Sequence, residues 1–144
     1  FEGRLSEPGY ILIDDDKIRF MDAKDLWGLG SHEAEKILAE KSIPVFARID
    51  HGKNAREAGL EMPPSKVVIF GSPKVGTNLM LENPGIATEL PLRIAVWEDK
   101  EGSTWISFPH MEKIARAYGV ENLPPVAPIR QLLRNIVSRA ANVY

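Results

Sequence analysis

Val67-Val-Ile-Phe-Gly-Ser-Pro-Lys-Val-Gly-Thr-Asn-Leu-Met80 is the stretch on which the fold turns. Four apolar residues in succession, Val67 to Phe70, read as a strand buried on both faces. Gly71, Ser72 and Pro73 stop the strand, and Gly76-Thr77 opens a short helix. A strand that passes through a Gly/Pro/Lys turn into a helix start is a physically good place for a ligand. Backbone N–H groups are free there, and the helix dipole favours negative charge.

Upstream of this stretch, Val45-Phe-Ala-Arg-Ile-Asp50 alternates apolar and polar as a strand does. His51-Gly52 leads into a short helix through Ala55 and Ala58, closed by Gly59. Before it, Ser31 can cap a helix whose stripe is Ala34, Ile37, Leu38 and Lys41, ended by Pro44. The first thirty residues are irregular and acidic. There, Tyr10-Ile-Leu-Ile13 and Ile18-Arg-Phe-Met21 flank Asp14-Asp-Asp-Lys17 as a short hairpin. The aspartates lack the alternation, central glycine and distal glutamate of a calcium-binding loop, so they read as a solvated turn.

Downstream, Leu79-Met-Leu81 continues the helix until Asn83-Pro-Gly85 breaks it. Leu92–Glu98 and Thr104–Phe108 form a hairpin around Asp99-Lys-Glu-Gly102, whose glycine suits a type I turn with a bulge. The register sets Trp97 beside Trp105 on one face and turns Ile94, Val96 and Ile106 to the other. Pro109 starts a helix bearing Met111, Ile114, Ala115 and Tyr118, ended by Gly119. After the loop Leu123–Pro128 comes an apolar helical stripe of Ile129, Leu132, Leu133, Ile136, Val137 and Ala140. The order predicts an α+β domain over residues 31–144, with residues 1–30 as an extension.

With 144 residues, 44% apolar and 26% charged, the chain suits one globular domain. A net charge of −2 argues against a dedicated nucleic-acid binder. No apolar run reaches the roughly 18–20 residues of a membrane span. There is no cysteine, hence no disulfide and no thiolate site. The chain starts at Phe1 rather than Met, as a processed or partial sequence does, so any targeting segment is out of view. Without an apolar run of membrane-span length it is read as soluble, with the cytoplasm and the periplasm both open.

Three constellations could carry chemistry. Gly71-x-x-x-x-Gly76-Thr77 has the outer spacing of a P-loop but no lysine before the threonine, which excludes a nucleoside-triphosphate site of that type. Two readings remain: an anion site from Gly71, Ser72, Lys74, Gly76 and Thr77, or a sharp strand-to-helix turn that Gly71, Pro73 and Gly76 make for the fold alone. Asp50 and His51 offer a carboxylate beside an imidazole for acid/base work, without a third member. His32, His51 and His110 are too scattered for a metal site, so none is expected, and no cofactor motif is present. Trp97 and Trp105, with Phe46, can floor an apolar pocket or face a partner.

The strings Phe46-Ala-Arg-Ile-Asp-His51, Phe70-Gly-Ser-Pro-Lys-Val-Gly-Thr77 with Leu79-Met80, and Leu90-Pro-Leu-Arg93 through Val96-Trp-Glu-Asp99 to Trp105-Ile-Ser107 resemble the family known as domain of unknown function 302. The resemblance covers roughly residues 31–142. Ser72 stands where that family more often has Asn, and Phe108-Pro109-His110 replaces its usual Asn-Asp-Pro. It implies a TATA-binding-protein-like α+β domain, a curved antiparallel sheet with helices on one face, and a homodimer. It implies no reaction. The expected function is thus a dimeric domain that binds a small molecule or small anion. The alternatives are a hydrolase or isomerase with His51 as general base, and a structural or partner-binding module.

Overall fold

Apolar alternation along neighbouring strands, rather than helix propensity, builds the frame. The computed structural model describes residues 4–6, 10–14 and 36–140. Its sheet contains β1 (Arg4–Ser6), β2 (Tyr10–Asp14), β3 (Val45–Asp50), β4 (Ser65–Phe70), β5 (Leu92–Glu98) and β6 (Thr104–Pro109). Their spatial order is β1-β2-β6-β5-β4-β3, and every neighbouring pair is antiparallel. Among the helices, α1 is described over residues 36–40. The others are α2 (His51–Glu57), α3 (Pro73–Glu82), α4 (Met111–Ala117) and α5 (Val126–Ala140), with a 3₁₀ segment at Pro84–Glu89. The architecture is α+β, as expected.

In β4 the side chains alternate. Val68 and Phe70 are buried, whereas Val67 and Ile69 are only half-buried. The expectation of a strand buried on both faces is therefore corrected: the buried cluster lies on one face of the sheet, and among the described residues the helices of that cluster leave the other face open. On the covered face Val68 pairs with Ile94, Phe70 with Leu92, and Val96 with Ile106. Leu133, Ile136 and Val137 of α5 share one buried cluster with them, as do Leu79 of α3 and Ile114 of α4. Ile37 and Leu38 of α1 join the same cluster, which is what their shared stripe predicts.

The extension supplies β2, which lies between β1 and β6 in the sheet. Ile18–Met21, the other half of the expected hairpin, lies outside the described residues, as does the proposed cap Ser31.

Three helix starts differ from expectation. Helix α3 begins at Pro73, not at Gly76-Thr77, because Ser72 is its N-cap and accepts from the Val75 N–H at 3.4 Å. Proline suits the first helical position, where an N–H has no helical partner to lose. Pro109 ends β6 instead of starting α4. His110 caps that helix, with Nδ1 accepting from the Lys113 N–H at 3.1 Å. Helix α5 starts at Val126, so Pro128 sits in its first turn, where proline is again tolerated.

At the β5–β6 hairpin, Trp97 faces Trp105 directly, with ring centroids 5.9 Å apart and planes inclined by 17°. The Trp97 indole donates to Ser107 Oγ at 2.7 Å, and that of Trp105 to Asp99 Oδ2 at 2.8 Å. The Trp105 bond holds the Asp99 carboxyl below the usual aspartate range, helped by backbone N–H groups of Ser103, Glu101 and Gly102 and opposed by partial desolvation. A carboxylate with a lowered folded pKa stabilises above its unfolded pKa, and that contribution is lost as pH falls through the folded value. Asp99→Asn should thus flatten the acid limb below about pH 4, read as Trp105 fluorescence against pH. An unchanged acid limb would show that the turn does not depend on this charge.

Candidate functional site

Beside the covered face of the sheet runs an apolar groove of about 920 Å³. One wall is the turn into α3, with Gly71, Ser72, Pro73, Val75, Gly76 and Thr77. A second is Ala87 with Leu90-Pro91-Leu92, which includes the cis Leu90–Pro91 peptide. The third comes from Pro124 and Pro125 with Pro128, Ile129 and Leu132 on α5. Phe46, 52% exposed on the outermost strand β3, and Ile43 complete the apolar rim.

Chain chemistry makes this groove stiff. Five of the eleven prolines line it, and Gly71 and Gly76 leave room rather than filling it. Prolines and glycines lose no side-chain rotamer freedom when a ligand covers them, which lowers the entropic cost of binding. Gly71 is held by its N–H to the Pro44 carbonyl at 3.1 Å, joining the turn to the entry of β3. Gly76 is helical, and a Cβ there would meet Leu90 Cδ1 at 3.6 Å and Met80 Cε at 3.8 Å. Those are ordinary contacts. Gly76→Ala should therefore raise stability by about 0.5–1 kcal/mol through helix propensity; thermal unfolding checks it, and a loss would mean the contacts are too tight.

The residues proposed for anion binding divide. Gly71, Ser72, Gly76 and Thr77 line the groove; Lys74 is exposed on α3 and does not. The turn's amides are also partly spent. Val75 N–H goes to Ser72 Oγ and Gly76 N–H to the Ser72 carbonyl at 2.9 Å. Trp97 and Trp105 lie on the open face, since their register neighbours Val96 and Ile106 point into the core. They do not line the groove, although Phe46 does. Asp50 caps α2, accepting from the Lys53 N–H at 2.9 Å, and His51 is exposed at the first position of that helix. Neither reaches the groove. Among the described residues, no group of three His, Asp or Glu side chains could hold a metal ion.

Sequence reasoning missed two of the three walls. Leu90-Pro91 appeared only within a string of the family resemblance, and the prolines at 124, 125 and 128 only as a loop. Ile129 and Leu132 carried a core signal that is also correct, for both are buried. The one available signal was proline density near an amphipathic stripe.

Comparison with known proteins gives a family and a fold. The profile of the domain of unknown function DUF302 matches residues 32–140. A profile described as aldehyde ferredoxin oxidoreductase, N-terminal domain, matches residues 1–59 and overlaps the first. A crystal structure of an uncharacterized conserved DUF302 protein from Bacillus stearothermophilus superposes with a TM-score of 0.67 at 18% identity, covering 92% of this chain and 98% of that one. Two proteins named fluoride-specific ion channels share 48% identity over 63 residues, 44% of this chain. They are FluC 1 of Brucella suis biovar 1, covered over 25% of its length, and FluC 2 of Brucella melitensis biotype 1, covered over 23%. The chain thus matches a quarter or less of the length of those relatives. Among the described residues no helix is long and apolar enough to cross a membrane. With its profile matched over residues 32–140 and its sheet and helices in the arrangement of a solved member, the chain belongs to the DUF302 family.

Proposed function

We propose that the domain binds a small, largely apolar molecule in the groove between α3, Leu90–Leu92 and α5. The observation that carries this reading is the groove itself, about 920 Å³ and lined mainly by apolar side chains. That is within the roughly 300–1,000 Å³ usual for small-molecule sites, which are mostly apolar with a few polar groups. Ser72, Thr77, Gln131 and Asn135 are the uncharged polar residues at its surface. Among the described lining residues no Ser or Thr hydroxyl has a His, Asp or Glu beside it, and the reading proposed is binding without catalysis. Titration with the neutral fluorophore N-phenyl-1-naphthylamine should show saturable binding at one site per chain, displaced by decanol. Fluorescence rising without saturation would refute a defined site.

The working unit in this reading is a homodimer. The open sheet face carries Ile49, Val67, Ile69, Ala95 and the tryptophan pair, all half-buried in the single chain. An apolar face of this kind is suited to a two-fold interface. Ile69→Arg should then convert a dimer to a monomer in sedimentation. A wild-type chain that is monomeric at micromolar concentration would contradict this. The identity to Brucella channels favours a second reading, in which the domain works beside a membrane transport protein. Co-purification with a co-expressed fluoride channel tests it, and absence of the complex would count against it.

A further inference from the structure

We infer that the groove selects a monoanionic amphiphile, an apolar body ending in a carboxylate or similar singly charged head, with Lys41 as the cationic pole. This rests on the groove being the binding site. Among the described residues that line it, Lys41 alone is charged, and none is an Asp or Glu. Among the described residues, no carboxylate is paired with Lys41. An exposed ammonium in a groove whose other described lining is uncharged has one sign to offer a ligand. A cationic ligand would meet repulsion there, and a polyanion would find no second cation among the described wall residues.

Local structure explains why the lysine is held at this place. Ile37 and Leu38 of α1 are buried in the core, so the turn that follows is fixed against the sheet. Lys41 sits one turn after Ile37, whose carbonyl accepts from the Lys41 N–H at 3.1 Å. The Cα of Lys41 is thereby anchored while its long side chain stays exposed at the rim. Gln131 and Asn135 also line the groove, and Gln131 Nε2 donates to Asn135 Oδ1 at 2.9 Å. That bond occupies the amide acceptor of Asn135 and leaves its Nδ2 as a donor, which again suits an anionic head. The anion binding expected of the turn into α3 is in this proposal assigned to a different lysine: Lys41, not Lys74.

Three ten-carbon probes test this by displacing N-phenyl-1-naphthylamine: decanoate, decanol and decylamine. The wild-type chain should bind decanoate about three- to tenfold more tightly than decanol, the size of a partly exposed charge-assisted contact, and decylamine most weakly. Lys41→Met, which keeps the apolar stem, should bring decanoate to the level of decanol without changing decanol. Lys41→Glu should reverse the order in favour of decylamine. Because Lys41 is exposed, both variants should fold, and unchanged thermal unfolding confirms it. Equal binding of decanoate and decanol by the wild type, or a preference that survives Lys41→Met, overturns the inference and leaves the groove as an apolar site. Failure of all three to displace the fluorophore overturns the groove reading with it.

Discussion

Leu133→Ala is expected to destabilise the protein by about 2–5 kcal/mol, the usual cost of removing a buried leucine and leaving a cavity. Leu133 is 1% exposed and lies in the cluster that joins α5 to the sheet. Its neighbours Ile136 and Val137 are equally enclosed, so the space cannot collapse cheaply. Arg134, the next residue along, is exposed, and Arg134→Ala should cost no more than about 1 kcal/mol. Chemical denaturation of both variants gives the comparison. Similar small losses would mean that α5 is a detachable tail and not part of the core, and the groove wall it supplies would lose its rigid footing.

The second large effect concerns the groove. Ala87 is exposed on the 3₁₀ segment and lines it, so Ala87→Trp adds a large ring without touching the core. The flanking Ile86 is buried and fixes the segment, leaving the new ring the groove or solvent as its surroundings. Thr77→Trp does the same from the facing wall of α3. The pair together should weaken binding of N-phenyl-1-naphthylamine at least about tenfold, a loss of about 1.4 kcal/mol. Thermal stability should change little, because neither site is buried. Undiminished binding in the double variant would place the fluorophore elsewhere, with the tryptophan face the next surface to test.

Much of the fold was legible because it depends on local rules. Gly59, Gly102 and Gly119 were read as helix ends and a turn bulge, and all three have positive φ, at 80°, 88° and 68°. There glycine alone lacks the steric penalty. The stacking of Trp97 on Trp105 followed from hairpin register. Helix starts were less legible. Ser72 and His110 each cap a helix through a side-chain acceptor that proline-based reasoning overlooked, placing one start too late and the other too early. Burial of β4 was overestimated because a run of four apolar residues does not reveal whether one face or both are covered.

The site was legible only in part, for a topological reason. The turn from Gly71 to Thr77 announces itself in sequence, but its partners Leu90-Pro91 and Ile129-Leu132 arrive from distant segments. A groove is a property of the gap between elements, and no single element carries its pattern. Lys41 was visible as the last residue of a helical stripe; only packing shows that the stripe ends at the groove mouth.

The most direct test of the groove as the binding site is titration of the isotopically labelled chain with decanoate, followed residue by residue through amide and indole N–H resonances. Saturable shifts at Gly71, Gly76, Leu90, Gln131 and Asn135, with the Trp97 and Trp105 indoles unmoved, are the predicted result. Shifts confined to those indoles or to the first turn of α3 at Lys74, or no shift at millimolar decanoate, would contradict it.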